Sequence, residues 1–164
     1  MSHHFSRTLI AAMLVFAVSF AWAAGADSAK GKLVVQGDDK PLSMELNHAY
    51  FITGPDEFDA AKTTRRVLFT GEDVRSAIEA CEDAGCAMYS FSEGMWLQID
   101  DSSTMRWWGK VKPVQQSRML DRSALVLTTD TPDRLAGTLT LDSSGKPVKI
   151  SFDAPLVKAF SAGK

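Results

Sequence analysis

The sequence predicts a mainly-β protein: a single-domain antiparallel β-sandwich or open barrel with one short helix. Three observations predict it. Short runs rich in β-branched, aromatic and other apolar residues recur between clusters of Gly, Pro, Asp and Ser. Two pairs of these runs can be registered as hairpins, because their apolar positions fall on matching parity. Only the window from Glu72 to Cys81 spaces its apolar residues as a helix does.

The elements follow in order. Leu9 to Ala24 reads LIAAMLVFAVSFAWAA behind the single cation Arg7. As a helix it spans about 24 Å, short of a hydrocarbon core of roughly 30 Å. The small pair Ala21 and Ala23 completes an export-signal pattern, so residues 1–23 are expected to be a signal peptide. Cleavage is expected after Ala23, with Ala26 as the second option. Residues 24–30 are a small, polar, flexible lead-in, and residues 31–160 form the β-rich domain. Among the chain's 18 Lys+Arg and 20 Asp+Glu only Arg7 would leave with the signal, so the domain stays mildly acidic. It has no basic excess to hold a nucleic-acid backbone. His3 and His4 would also leave, making His48 the lone histidine; that excludes a three-histidine metal site within one chain.

Strands are expected at Lys32–Gln36 and Ser43–Thr53, the latter with Met44, Leu46, His48, Tyr50 and Ile52 on one face. The charged stretch from Gly54 to Thr64 reads as a loop and Arg66–Thr70 as a third strand. Val74, Ala77, Ile78 and Cys81 make one helical face, with Thr70 as a candidate cap and Glu72 and Asp73 at the dipole's positive end. Strands resume at Ala87–Phe91, Met95–Asp100, Met105–Val111, Ala124–Thr129, Arg134–Leu141 and Val148–Phe152.

Parity fixes both hairpins. A three-residue loop, Asp101-Ser102-Ser103, places Leu97 opposite Trp107 and aligns the apolar odd positions; a two-residue loop would set them against Arg106, Trp108 and Lys110. In the second hairpin a two-residue turn, Ser144-Gly145, places Phe152 opposite Gly137, a position without a side chain.

In an oxidising compartment Cys81 and Cys86 are expected to pair as a structural disulfide, with Gly85 easing the turn. Their spacing is not that of a Cys-x-x-Cys redox motif, and the acids between them would raise a thiol pKa.

The first hairpin's register also yields the candidate ligand-binding surface. Trp96 falls opposite Trp108 and Gln98 opposite Arg106 on the even face. Such an aromatic pair with polar neighbours can stack a flat ligand, unless the helix or a second sheet covers it. His48 lies on an apolar face, where a histidine is ordinarily a hydrogen-bonded core residue; a general-base role is the sharper alternative. Pro55-Asp56-Glu57-Phe58-Asp59 lacks the spacing of a calcium loop. No catalytic residue, metal site or cofactor is assigned.

Three patches carry a resemblance: Gly31–Val35 leading to Leu46-Asn47-His48-Ala49-Tyr50; Arg66–Thr70; and Gly137–Leu141 leading to Phe152-Asp153-Ala154-Pro155-Leu156. Together they resemble a group of small exported bacterial β-proteins of unknown function, with a His-Ala-Tyr strand and a C-terminal Phe-Asp-Ala-Pro ending. The resemblance implies a compact β-fold and export, and nothing catalytic. The Cys81–Cys86 loop and the Trp107-Trp108 pair lie outside it.

The functional expectation is a periplasmic or secreted, monomeric, non-catalytic binding or interaction module. Its partner would be a small ligand or a protein, with no nucleic acid and no membrane after signal cleavage. The alternatives are a hydrolase or transferase using His48, and a periplasmic inhibitor or immunity-type protein.

Overall fold

The computed structural model describes residues 28–57, 59–99, 103–143 and 145–161. The expected signal segment, Asp100 to Ser102, Ser144 and Phe58 therefore lie outside the described residues, as does most of the expected lead-in. The described chain is mainly β, a curled sheet that forms an open half-barrel with two short helices on its outer face.

Ten strands build it. β1 (Ala29–Gln36) pairs with β2 (Pro41–Leu46), and β3 (His48–Pro55) with β4 (Thr63–Thr70). The helices α1 (Arg75–Ala80) and α2 (Ala84–Met88) follow. Next comes a meander of β5 (Gly94–Ile99), β6 (Thr104–Val111) and β7 (Val114–Asp121). A 3-10 turn at Arg122–Ala124 leads to β8 (Leu125–Thr131), β9 (Arg134–Ser143) and β10 (Lys146–Ala159). The sheet runs β2-β1-β10-β3-β4-β5-β6-β7, with β9 and then β8 branching from β10. β10 is the hinge of the architecture. It lies antiparallel to β9 and β1, and from Leu156 onward it pairs parallel to β3, a ladder with an irregularity between Leu156 and Lys158.

Alternation sorts the apolar side chains into two cores. Leu33, Phe51, Val67, Phe69, Leu97, Trp107, Leu139 and Phe152 fill the barrel interior. Phe69 meets Phe152 edge-on at 5.3 Å, joining the two halves of the curl. A side chain of this size contributes about 1.5–3 kcal/mol when fully buried. At Gly109 an added Cβ would lie 3.1 Å from Leu33 and 3.0 Å from Trp107, so the bare backbone of β6 is what seats β1 across the interior. The second core is Tyr50, Ile52, Leu68, Trp96 and Phe160 on the outer face, roofed by Ile78, Ala84, Ala87 and Met88 of the helices.

Both hairpin registers are observed. Leu97 pairs with Trp107 and Trp96 with Trp108, and Phe152 pairs with Gly137 across a turn that returns at Lys146. Several expectations are corrected. The single strand expected over Ser43–Thr53 is two strands broken at Asn47, where the chain leaves β1 and joins β4. The Asn47 amide donates to the Thr70 carbonyl, and the Asn47 carbonyl accepts from Ala29. This corner reverses the parity, so Leu46 enters the barrel while Tyr50 and Ile52 face outward. The strand expected at Lys32–Gln36 starts three residues earlier, because Ala29 and Lys30 pair with Phe152 and Ser151. Those two residues are therefore strand, not lead-in.

The expected strand Ala87–Phe91 is α2 and its exit. Asp83 caps this helix by accepting from the Cys86 amide at 2.7 Å, a local hydrogen bond that outweighs the aromatic, strand-like composition of the segment. Thr70 does not cap α1; its hydroxyl donates to the Glu72 carbonyl, and Asp73 accepts from the Arg75 amide instead. β7 is absent from the expected strands, because its inner positions mix the partly buried Val114 and Leu120 with Gln116 and Arg118 and leave no clear apolar alternation.

Cys81 and Cys86 form a disulfide that ties α1 to α2, with their Cα atoms 5.5 Å apart. Lys158 of β10 donates to the Glu79 and Cys81 carbonyls, satisfying acceptors at the end of α1. Replacing both cysteines by alanine is expected to cost about 2 kcal/mol, from the entropy of so short a loop. The measurement is the urea midpoint; an unchanged midpoint would mean that packing alone holds the helix pair.

Candidate functional site

The outer face of the sheet can be read as three cross-strand rows. One runs Ile52, Arg66, Gln98, Arg106, Met119; the next Tyr50, Leu68, Trp96, Trp108, Ser117; the third His48, Thr70, Gly94, Lys110, Gln115. The four residues expected from sequence, Trp96, Trp108, Arg106 and Gln98, are therefore brought together as neighbours in two adjacent rows. They do not form one open surface. Trp96 is 3% exposed and belongs to the core beneath the helices, and Gln98 is buried as well. Trp108 and Arg106 are half-buried at the margin.

Trp96 and Trp108 stack with ring centroids 6.5 Å apart and planes 18° from parallel. The Arg106 guanidinium lies 5.5 Å from the Trp96 ring centroid, a cation–π approach. Beyond α2, Tyr89 meets Trp108 edge-on at 5.2 Å, and Phe91 approaches it at 6.1 Å. Tyr89 is 55% exposed, and Met119, opposite Arg106 on β7, is 61% exposed. The accessible surface is thus an aromatic corner of Tyr89 and Trp108, continued by Met119 and flanked by Lys110. Trp96 and Gln98 support it from below. Sequence reading misses Tyr89 and Met119, because each lies on a segment assigned to the wrong structure or to none.

The first row carries a polar network under the acidic loop. Arg66 is fully buried. Its Nε donates to Gln98 Oε1 at 3.2 Å, and both terminal nitrogens lie 3.4 Å from the Pro55 carbonyl. Gln98 in turn donates to Asp56 at 3.3 Å, and Arg106 donates to Glu57 at 3.1 Å. Burial pushes the Arg66 pKa down, and the nearby Glu57 and Asp56 carboxylates oppose that push. Asp56 and Glu57 of the charged loop therefore anchor it onto the sheet.

His48 opens the third row. It is half-buried, and its ring stacks on Tyr50 at 6.2 Å. Asp73 lies close enough to feel its charge. The Asp73 carboxylate instead accepts from the Tyr50 hydroxyl at 2.6 Å and the Arg75 amide at 3.0 Å. Those two donors hold the Asp73 carboxyl below its ordinary range, and burial followed by the Asp73 bond raises the Tyr50 phenol above its own. The Tyr50 hydroxyl also accepts from the Val74 amide at 3.1 Å. This arrangement orients the start of α1. Among the described residues no group of three His, Cys, Asp or Glu side chains has a metal-binding arrangement.

A groove of about 1010 Å³ lies elsewhere, at the barrel mouth between Thr53, Arg65, Ile99, Asp130 and Leu156. Arg65 and Asp130 close an ion pair across it. No protein-family model matches the chain, and no curated protein or solved structure shows significant similarity to it.

Proposed function

We propose that this chain is an exported, non-catalytic β-domain that binds a protein partner through the aromatic corner of Tyr89, Trp108 and Met119. The observation that carries the reading is the exposure of Tyr89 and Met119 beside a half-buried tryptophan whose far face is already stacked. Aromatic and methionine side chains are enriched at protein–protein interfaces, and Tyr and Trp among their energetic hot spots. Export is supported by the Cys81–Cys86 disulfide, which fits an oxidising compartment. It is supported also by the apolar N-terminal segment and by the resemblance to small exported β-proteins. No helix among the described residues is long and apolar enough to cross a membrane.

The test is affinity capture from an extracytoplasmic extract with the disulfide-bonded protein, repeated with Tyr89→Ser and Met119→Ser. Both side chains are exposed, so the double variant is expected to keep its melting temperature within a few degrees. It should lose at least ten-fold in affinity for any stoichiometric partner recovered, as removal of about 1.4 kcal/mol of contact energy requires. A partner retained undiminished by the double variant would sink the assignment.

A further inference from the structure

Three strands end the sheet on open edges, and they are not alike. β2 is short, begins at Pro41 and follows the charged turn Asp38-Asp39-Lys40. β8 carries an irregularity between Leu127 and Thr129. Prolines, charges, bulges and shortness are how sheets prevent edge-to-edge pairing. β7 spans eight residues with no proline and no bulge, and its charges are few. It is laddered to β6 without interruption from Val114 to Asp121, and no other strand among the described residues pairs with it. Arg118 is its only cation, and its only carboxylate, Asp121, sits at the end.

We propose that β7 pairs with β7 of a second copy, antiparallel about a two-fold axis at Ser117, to form a homodimer with one continuous sheet. Backbone geometry and side-chain chemistry select that register. Antiparallel partners must have their free amides and carbonyls on the same side, so only registers that keep like parity opposite like are available. Centring on Arg118 sets two guanidiniums against each other, which is destabilising. Centring on Gln116 or Met119 shortens the ladder. Centring on Ser117 pairs residues 114–120 with their copies. It sets Val114 against Leu120 and Gln116 against Arg118 on the inner side, and Gln115 against Met119 on the outer. The amide oxygen of Gln116, in its hydrogen-bonded orientation, already accepts from Arg118 within one chain, so the pair is chemically matched.

The dimer replaces the expectation of a monomer and enlarges the outer face. The row Trp96, Trp108, Ser117 would continue into Ser117, Trp108 and Trp96 of the second copy. The two Trp108 rings would stand about 14 Å apart, three strand spacings, over a floor of small serines. The pairing sets Met119 of the proposed partner-binding corner beside Gln115 of the second copy, so it is tested on the protein alone, where failure of the dimer leaves the partner-binding reading standing.

Sedimentation equilibrium and Ser117→Cys test it together. The parent is expected to reach twice the chain mass at high concentration. Under mild oxidation Ser117→Cys should form an interchain disulfide at position 117, in a yield at least ten-fold above that of Arg118→Cys, whose copies are offset from the axis. A Gln116→Lys variant, which sets lysine against Arg118 twice, should weaken the dimer several-fold. A monomer at all concentrations up to roughly 1 mM, where associations near −4 kcal/mol are already half-populated, would overturn the proposal. So would equal cross-linking at positions 117 and 118.

Discussion

Gly137→Ala is expected to destabilise the protein by about 3 kcal/mol or more, at the upper end of what forced overpacking costs. A Cβ at this position would overlap the Val126 carbonyl oxygen and stand 2.9 Å from the Leu127 Cα. Both are backbone atoms of β8, so no rotamer change relieves the contact. The strand must move. It is already irregular between Leu127 and Thr129, immediately beside the contact. The loss should therefore concentrate there. Amide exchange of Val126, Leu127 and Thr138 should accelerate more than that of β4 or β5. A variant within 1 kcal/mol of the parent by urea denaturation would mean that β8 yields freely, and would refute the argument.

Arg66→Ala should cost about 3–5 kcal/mol, the range seen when one member of a buried charged network is removed. The deletion leaves a cavity the size of the whole side chain. It also strips a donor from Gln98 Oε1 and donors from the Pro55 carbonyl, and removes a positive charge near Asp56 and Glu57. Arg66→Met separates the contributions, because it keeps most of the volume and removes the charge. It is expected to cost about 1–2 kcal/mol, as buried charges exchanged for apolar groups often do little harm to stability. The loop beyond Pro55 should nevertheless lose its anchor. Faster proteolysis at residues 56–62 in both variants, with an intact sheet by circular dichroism, is the expected pattern. If Arg66→Ala is nearly neutral, the network is decoration and the loop is held by other contacts.

The parts of the fold that sequence makes legible are those where one parity carries the apolar residues that face the barrel interior. In β5, β6, β9 and β10 the alternation is strong enough to fix register to the residue, and both hairpins are found as expected. Legibility fails where a long-range partner changes. Nothing local at Asn47 marks the exchange of β1 for β4, yet that exchange flips His48, Tyr50 and Ile52 to the other face. It fails again where a capping bond and a disulfide override composition, as in α2. It fails at β7, which pairs with one described strand and whose inner positions mix Val114 and Leu120 with Gln116 and Arg118. The candidate site suffers from the same gaps. The Trp96–Trp108 and Gln98–Arg106 pairings can be read from parity within one hairpin. That α2 shelters Trp96, and that Tyr89 and Met119 extend the surface, depends on elements that parity does not reveal. Arg66 escapes notice because an arginine in a strand reads as solvent-facing. Only the loop folding back over the sheet makes it a buried one.

The long strand β10 has a consequence for the order in which the molecule can be made. It is the last described element, yet β1, β3 and β9 all find a neighbour in it. The hairpins are local, but no strand ladder among the described residues joins β1 or β9 to β3 until β10 is present. A growing chain therefore stays open while its first strands emerge. It closes only when residues 146–159 arrive, after contacts spanning most of the sequence can be made. A chain with that timetable stays open, and so threadable, until residues 146–159 have been made, a property that would serve the export proposed above.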